Sequence, residues 1–121
     1  MSDNPTPTEI NYDAATRILK ISFDEGSCFE LSAEYLRVCS PSAEVQGHSP
    51  ASAKLQVGKE NVKIDKIEPV GNYAVTLFFD DGHDSGIYSW DWLYRLGLNQ
   101  KANWQDYLDR LKAAGHERKS H

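Results

Sequence analysis

The sequence predicts an α+β domain: a bent, mostly antiparallel β-sheet with short helices, closed by a C-terminal amphipathic helix. Three observations carry that expectation. Short runs of alternating apolar and polar residues flank Asp- and Gly-rich turns, as in β-hairpins. Two of these hairpins lead directly into a serine that can cap a helix. The last segment places its apolar residues at helical spacing.

Residues 1–8, "MSDNPTPT", are polar and proline-bearing and read as a disordered N-terminal tail. In "TRILKISF", Leu19, Ile21 and Phe23 share one face, with Lys20 and Ser22 on the other, which makes a half-buried strand. "DEGS" supplies a turn, and "CFEL" resumes the alternation with Phe29 and Leu31 inward. Ser32 caps "AEYLRV", with Leu31 and Leu36 placed as a hydrophobic staple. "AKLQVG" reads as a short extended piece. In "NVKIDKIEPV" the apolar register slips between Ile64 and Ile67, which predicts a bulge. "YAVTLFF" is apolar on both faces and is the expected central strand. After the turn-rich "DDGHDSG" and a short extended "IY", Ser89 caps "WDWLYRL", with Gly97 as its stop. Asn103 is the expected cap of the last helix, whose Trp104, Tyr107, Leu108 and Leu111 form one face and which Gly115 closes. A single domain over 9–115 follows, with 116–121 as a C-terminal tail.

Two stretches share a layout. "FDEGSCFELSAEYLRV" and "FDDGHDSGIYSWDWLYRL" each run from a strand ending in Phe-Asp through an acidic residue and Gly, a short extended piece, a Ser cap and a helix with an aromatic–Leu pair. One inserted residue separates them. This reads as an internal duplication of a β-turn-β-α unit. It would set Cys39 just after the first helix and His83 in the turn of the second unit, with the two units facing each other. Recurrent turn and cap chemistry is the simpler alternative.

The chain has 121 residues and a formal net charge of -5, enough length to bury one core without disulfides or metals. The acidic balance argues against nucleic acid, which needs clustered Lys and Arg, and against an anionic membrane surface. No run approaches the length of a spanning helix, and no apolar leader is present. The two cysteines therefore read as reduced thiols of a cytoplasmic protein.

For chemistry, the spacing alone is sparing. No Cys-x-x-Cys pair exists, and Cys39 and His48 are too far apart for a standard metal-ligand pair. The residues two after His48, His83 and His116 are Pro50, Ser85 and Arg118, so the His-x-Asp/Glu element of non-haem iron oxygenases is absent. Cys39, His83 and one of Asp80, Asp81 or Asp84 could form a nucleophile, base and orienter, but no known local signature surrounds them. Trp90 and Trp92 diverge by about 200° on a helix. Trp90 shares the face of Leu93 and Tyr94, so Trp92 is the expected exposed one and a pointer to a partner surface.

The segments "FDEG…FELSAEYLRVCSPSAEVQGH" and "AVTLFFDDGHDSGIYSWDWL" together resemble the gamma-butyrobetaine hydroxylase-like N-terminal domain family. The resemblance spans Ile10 to Leu98 and rests on the Leu-Arg-x-Cys turn, the Asp-Gly-His turn and the Ser-x-x-Trp-Leu helix start. In the eukaryotic hydroxylases the domain precedes a 2-oxoglutarate- and iron-dependent catalytic domain. It holds a structural zinc there through three cysteines after the Leu-Arg and the histidine of the Asp-Gly-His turn. By that resemblance Cys39 and His83 match two ligands, while no cysteine occurs among Pro41 to Val45. The ligand set for zinc or iron is therefore incomplete, and the catalytic domain is absent.

Similar domains also occur joined to ATPases of the iron–sulfur cluster carrier type, which implies such a carrier as a possible protein partner. Two functions stay open. One is a non-catalytic binding or adaptor module using Arg37, Glu44 and Trp92 as its surface. The other is a metal-binding protein holding zinc or iron through Cys39, His83 and His48, with iron–sulfur cluster handling as the context the resemblance implies. An enzyme acting through Cys39 ranks below both.

Overall fold

The computed structural model describes residues 5–41, 59–84 and 86–115. Strand β1 (Pro7–Asp13) pairs antiparallel with β2 (Ile18–Phe23), which pairs with β3 (Cys28–Ser32), and helix α1 (Ala33–Val38) follows at once. The same order then repeats. Strand β4 (Ile64–Val70) pairs with β5 (Ala74–Phe79), β5 pairs with β6 (Ile87–Ser89), and helix α2 (Trp90–Leu98) follows. Helix α3 (Gln100–Ala113) ends the described chain.

The class is α+β, with every strand pair antiparallel, and the strands divide between two three-stranded sheets ordered β1-β2-β3 and β4-β5-β6. The expected central strand is β5, and the slip between Ile64 and Ile67 is a register shift between Ile64 and Lys66. The core joins both units: Leu19, Ile21, Leu31 and Leu36 of the first pack with Leu77, Tyr88 and Leu93 of the second, all 0% exposed.

Two boundaries differ from expectation. Pro7 and Thr8, expected in the N-terminal tail, begin β1. That strand escaped the pattern because only Ile10 and Tyr12 of its seven residues are apolar and pack on the core. The last helix starts three residues before Asn103, at Gln100, and Asn99 ends α2 and begins α3 together. The extended "AKLQVG" lies outside the described residues.

The two units correspond down to single hydrogen bonds. Phe23 and Phe79 are 56 positions apart, and Ser32 and Ser89 are 57 apart, across the one-residue insertion. In each turn the glycine takes a left-handed φ, +106° at Gly26 and +92° at Gly82, where a side chain would be strained. Gly26 N donates to Phe23 O and Gly82 N to Phe79 O, both at 3.1 Å. Ser27 N donates to the Glu25 carboxylate, and His83 N to the Asp81 carboxylate.

Ser32 Oγ accepts from Tyr35 N and Ser89 Oγ from Trp92 N, the two N-caps that the sequence predicts. Even the bulges correspond: the register shifts fall between Pro7 and Glu9 and between Ile64 and Lys66. Where the units meet, contacts are reciprocal, as across a twofold axis. Tyr35 of α1 donates its hydroxyl to Leu96 O of α2, and Trp92 of α2 donates its indole N–H to Cys39 O after α1.

Candidate functional site

The turn Asp80–Asp84 follows β5 and carries His83. Asp81 builds it locally: Oδ1 accepts the His83 backbone N–H at 3.1 Å, the short-range carboxylate turn that Asp favours. The other oxygen, Oδ2, faces across the junction. It accepts from Arg37 Nε of α1 at 2.9 Å and from Lys59 Nζ at 2.7 Å. Burial alone would raise this carboxyl. The hydrogen bonds from Lys59 and the His83 N–H and the charge of Arg37 outweigh it, and hold Asp81 down at about 2.

The imidazole lies under this ion cluster. His83 is buried, its ring tilted against Phe79. Its Nε2 lies 2.9 Å from Ser40 Oγ, and Ser40 is 0% exposed. Tyr88 adjoins Ser40 and donates its own hydroxyl to Leu36 O at 2.6 Å, and burial raises its phenol. Gly86 makes the close approach possible: a Cβ there would stand 2.4 Å from Ser40 Oγ. Helix α1 is thereby fastened at its last turn to the second unit by Arg37, Leu36 O, Cys39 O and Ser40.

The equivalent junction on the other side of the pseudo-twofold is built differently. Tyr94 takes the place of Arg37 and Glu25 that of Asp81, with Tyr94 OH 3.3 Å from Glu25 Oε2. Phe29 takes the place of Gly86 and Gly97 that of Ser40. A Cβ on Gly97 would stand 2.4 Å from the Phe29 ring, so each junction sets a glycine against a larger partner, with the halves exchanged. Phe23, Phe29 and Tyr94 fill it edge to face, with centroids 5.1 to 6.0 Å apart. One junction is aromatic; its twin is charged and hydroxylic.

Several expected site residues lie elsewhere than their assigned roles require. Arg37, expected on an interaction surface, is buried and paired with Asp81, because the second unit covers the last turn of α1. Trp92, expected exposed, is half-buried: the reciprocal contact with Cys39 O takes its indole N–H at 3.0 Å. Glu44 and His48 lie outside the described residues. Cys39 follows α1 as its C-cap, and burial pushes its thiol up to about 12, with Arg110 of α3 drawing it down and Asp106 up.

These residues do not fit the zinc that the resemblance implies. The resemblance calls for three cysteines beside the histidine, and Cys39 is the one cysteine at that place. His83 Nε2 meets a hydroxyl, and a serine is no substitute for a thiolate at zinc. Among the described residues no group of three or more His, Cys, Asp or Glu side chains could hold a metal ion. Both cysteines are free.

The Ser40–His83 pair has the separation of a nucleophile and its base. Both are buried, and Asp81 accepts the His83 backbone N–H rather than meeting its ring, so among the described residues no orienting carboxylate completes the pair. Cys39, its thiol raised by burial, is the reverse of a reactive cysteine. The sequence pattern missed Ser40, Lys59, Gly86 and Tyr88. The aspartate two residues before His83 was the one local signal available.

Among the described residues no helix is long and apolar enough to cross a membrane. The model of the family "Gamma-butyrobetaine hydroxylase-like, N-terminal" matches residues 10–94. Two proteins solved in solution by NMR are similar over nearly the whole length. One is 50% identical, covers 100% of this chain and 96% of its own, and has a TM-score of 0.83. The other is 46% identical over 96% of this chain and 91% of its own, also with a TM-score of 0.83. A crystal structure of a protein of unknown function from Acidithiobacillus ferrooxidans, described as a member of the DUF971 family, is 36% identical. It covers 76% of this chain and 92% of its own, with a TM-score of 0.65. No curated protein matches the chain.

Proposed function

The chain belongs to the gamma-butyrobetaine hydroxylase-like N-terminal family, and from that premise we propose that it is a non-catalytic protein-binding module of the cytoplasm. The observation that carries this reading is the difference between the two junctions. The fold closes one of them with Phe23, Phe29 and Tyr94, whose hydroxyl meets the exposed Glu25, whereas its twin gathers Arg37, Asp81 and Lys59. A charge cluster where the twin junction packs aromatic rings supports a task beyond packing. Pro41 and Lys59 both lie at this polar junction, and the Lys59 ammonium is bound to Asp81. We assign partner contact to Glu44, which lies outside the described residues, and to the exposed Asp84 of the His83 turn.

An iron–sulfur cluster carrier ATPase, the type to which similar domains are joined, is the first partner to test. Calorimetric titration should show binding that Glu44→Lys abolishes and that Lys20→Glu, on the far sheet, leaves unchanged. No binding to the carrier would remove it as partner. Binding indifferent to Glu44→Lys and to Asp84→Lys would remove the assigned surface. Metal analysis of protein purified without chelator or affinity tag bears on the competing reading, since stoichiometric zinc or iron would overturn a module that works without metal.

A further inference from the structure

The repeat makes one half of the molecule a control for the other, and the outward faces of the two sheets fail to correspond. In the first sheet the row Asn11–Lys20–Glu30 and the flanking Glu9 and Ser22 point outward, the polar face expected of a solvated antiparallel sheet. The same positions in the second sheet are Glu68–Thr76–Ile87, with Lys66 and Phe78 beside them. Lys20 has become Thr76, Ser22 has become Phe78 and Glu30 has become Ile87. Ile87 is 51% exposed although a charged residue serves at its twin position. Lys66 and Glu68 border this strip, with Lys66 Nζ 2.6 Å from Glu68 Oε2 and 5.3 Å from the centre of the Phe78 ring.

We propose that this face is where a second copy of the chain docks, sheet against sheet across a twofold axis. The charges select that occupant. A twofold axis crossing the strands between the Glu68–Thr76–Ile87 row and the Lys66–Phe78 pair sets Lys66 of one copy on Glu68 of the other, twice. It also sets Phe78 on Thr76, twice. The rim is thus complementary to itself, as an isologous contact requires. Aligned sheets pack roughly 10 Å apart, which suits one layer of such side chains from each copy. A face of three short strands makes a weak dimer. The inference is independent of the partner assignment above and fails separately from it.

Sedimentation equilibrium of the full chain, taken to high concentration, tests it. The parent protein should be a monomer–dimer mixture. Ile87→Lys should leave a monomer with an unchanged circular dichroism spectrum, since the side chain is already exposed. Lys66→Glu and Glu68→Lys should each weaken dimerisation by roughly tenfold or more, because each sets like charges together across the axis. The double exchange Lys66→Glu with Glu68→Lys should restore it, which a contact with any different surface would not do. A parent protein monomeric at every concentration, a dimer indifferent to Ile87→Lys, or a double exchange that stays monomeric would each overturn the proposal.

Discussion

Asp81→Ala is the substitution that should cost this fold most for its size. The carboxylate takes Arg37 Nε, Lys59 Nζ and the His83 N–H. Its fall from 3.8 to about 2 corresponds to roughly 2.5 kcal/mol of preference for the charged form. The side chain is 21% exposed, and solvent screening reduces that figure to about 1 to 1.5 kcal/mol. A similar amount comes from Arg37, whose side chain is only 9% exposed and would lose this carboxylate inside the protein. Together these give about 2 to 3 kcal/mol, or a Tm lower by about 10 °C for a chain of this length.

Lys59→Ala, at the same carboxylate but more exposed, should cost under about 1 kcal/mol. Glu25→Ala, the twin position in solvent, should shift Tm least of the three. The sign with pH follows from the depressed value. The stabilisation is present above 3.8 and is lost as pH falls toward about 2. The gap in urea-unfolding stability between the parent and Asp81→Asn should therefore be full at neutral pH and close over that acid interval. If Asp81→Ala cost no more than Lys59→Ala, or if the gap widened on acidification, the role given to the Arg37–Asp81 pair would be wrong.

Two further outcomes concern the same junction. Gly86→Ala drives a Cβ to 2.4 Å from Ser40 Oγ and should destabilise by about 1 to 3 kcal/mol. Adding Ser40→Ala should recover part of the loss, and strict additivity in a double-mutant cycle would show that the two side chains do not meet. A disulfide reagent at mildly alkaline pH should titrate the exposed Cys28 promptly. Cys39, with its thiol pushed up to about 12, should react only on unfolding, and equal rates for both would contradict its burial.

Most of the fold could be read from local chemistry. Ser32 and Ser89 as caps, the bulge near Ile64 and the all-apolar β5 are each decided within a few residues, where turn and cap preferences act. Strand β1 was hidden because its outward residues are polar and its inward ones few. The start of α3 was hidden because Asn99 ends one helix and begins the next without any side-chain capping bond to α3. The duplication was visible in the Phe-Asp-x-Gly turns and the serine caps, and from it came the expectation that the end of α1 faces the His83 turn.

What the sequence could not supply was which atoms meet there. Ser40 and Cys39 are neighbours, and only the close approach allowed by Gly86 brings the hydroxyl to the imidazole. Likewise Arg37 carries no local sign that a second unit will cover it. Burial of α1 is a property of the junction, and the aspartate that receives Arg37 lies 44 residues away.

The reciprocal junctions also decide how the molecule comes apart. Every strand pairing joins neighbours in the chain, and no strand of one unit pairs with a strand of the other among the described residues. The polar contacts described between units are single hydrogen bonds and ion pairs spanning 43 to 69 residues. Parting the two halves would expose the core that both share, so neither sheet keeps its protection against hydrogen exchange once the seam opens. A chain built this way has two sheets but one cooperative unit, and the seam that makes it one runs through His83.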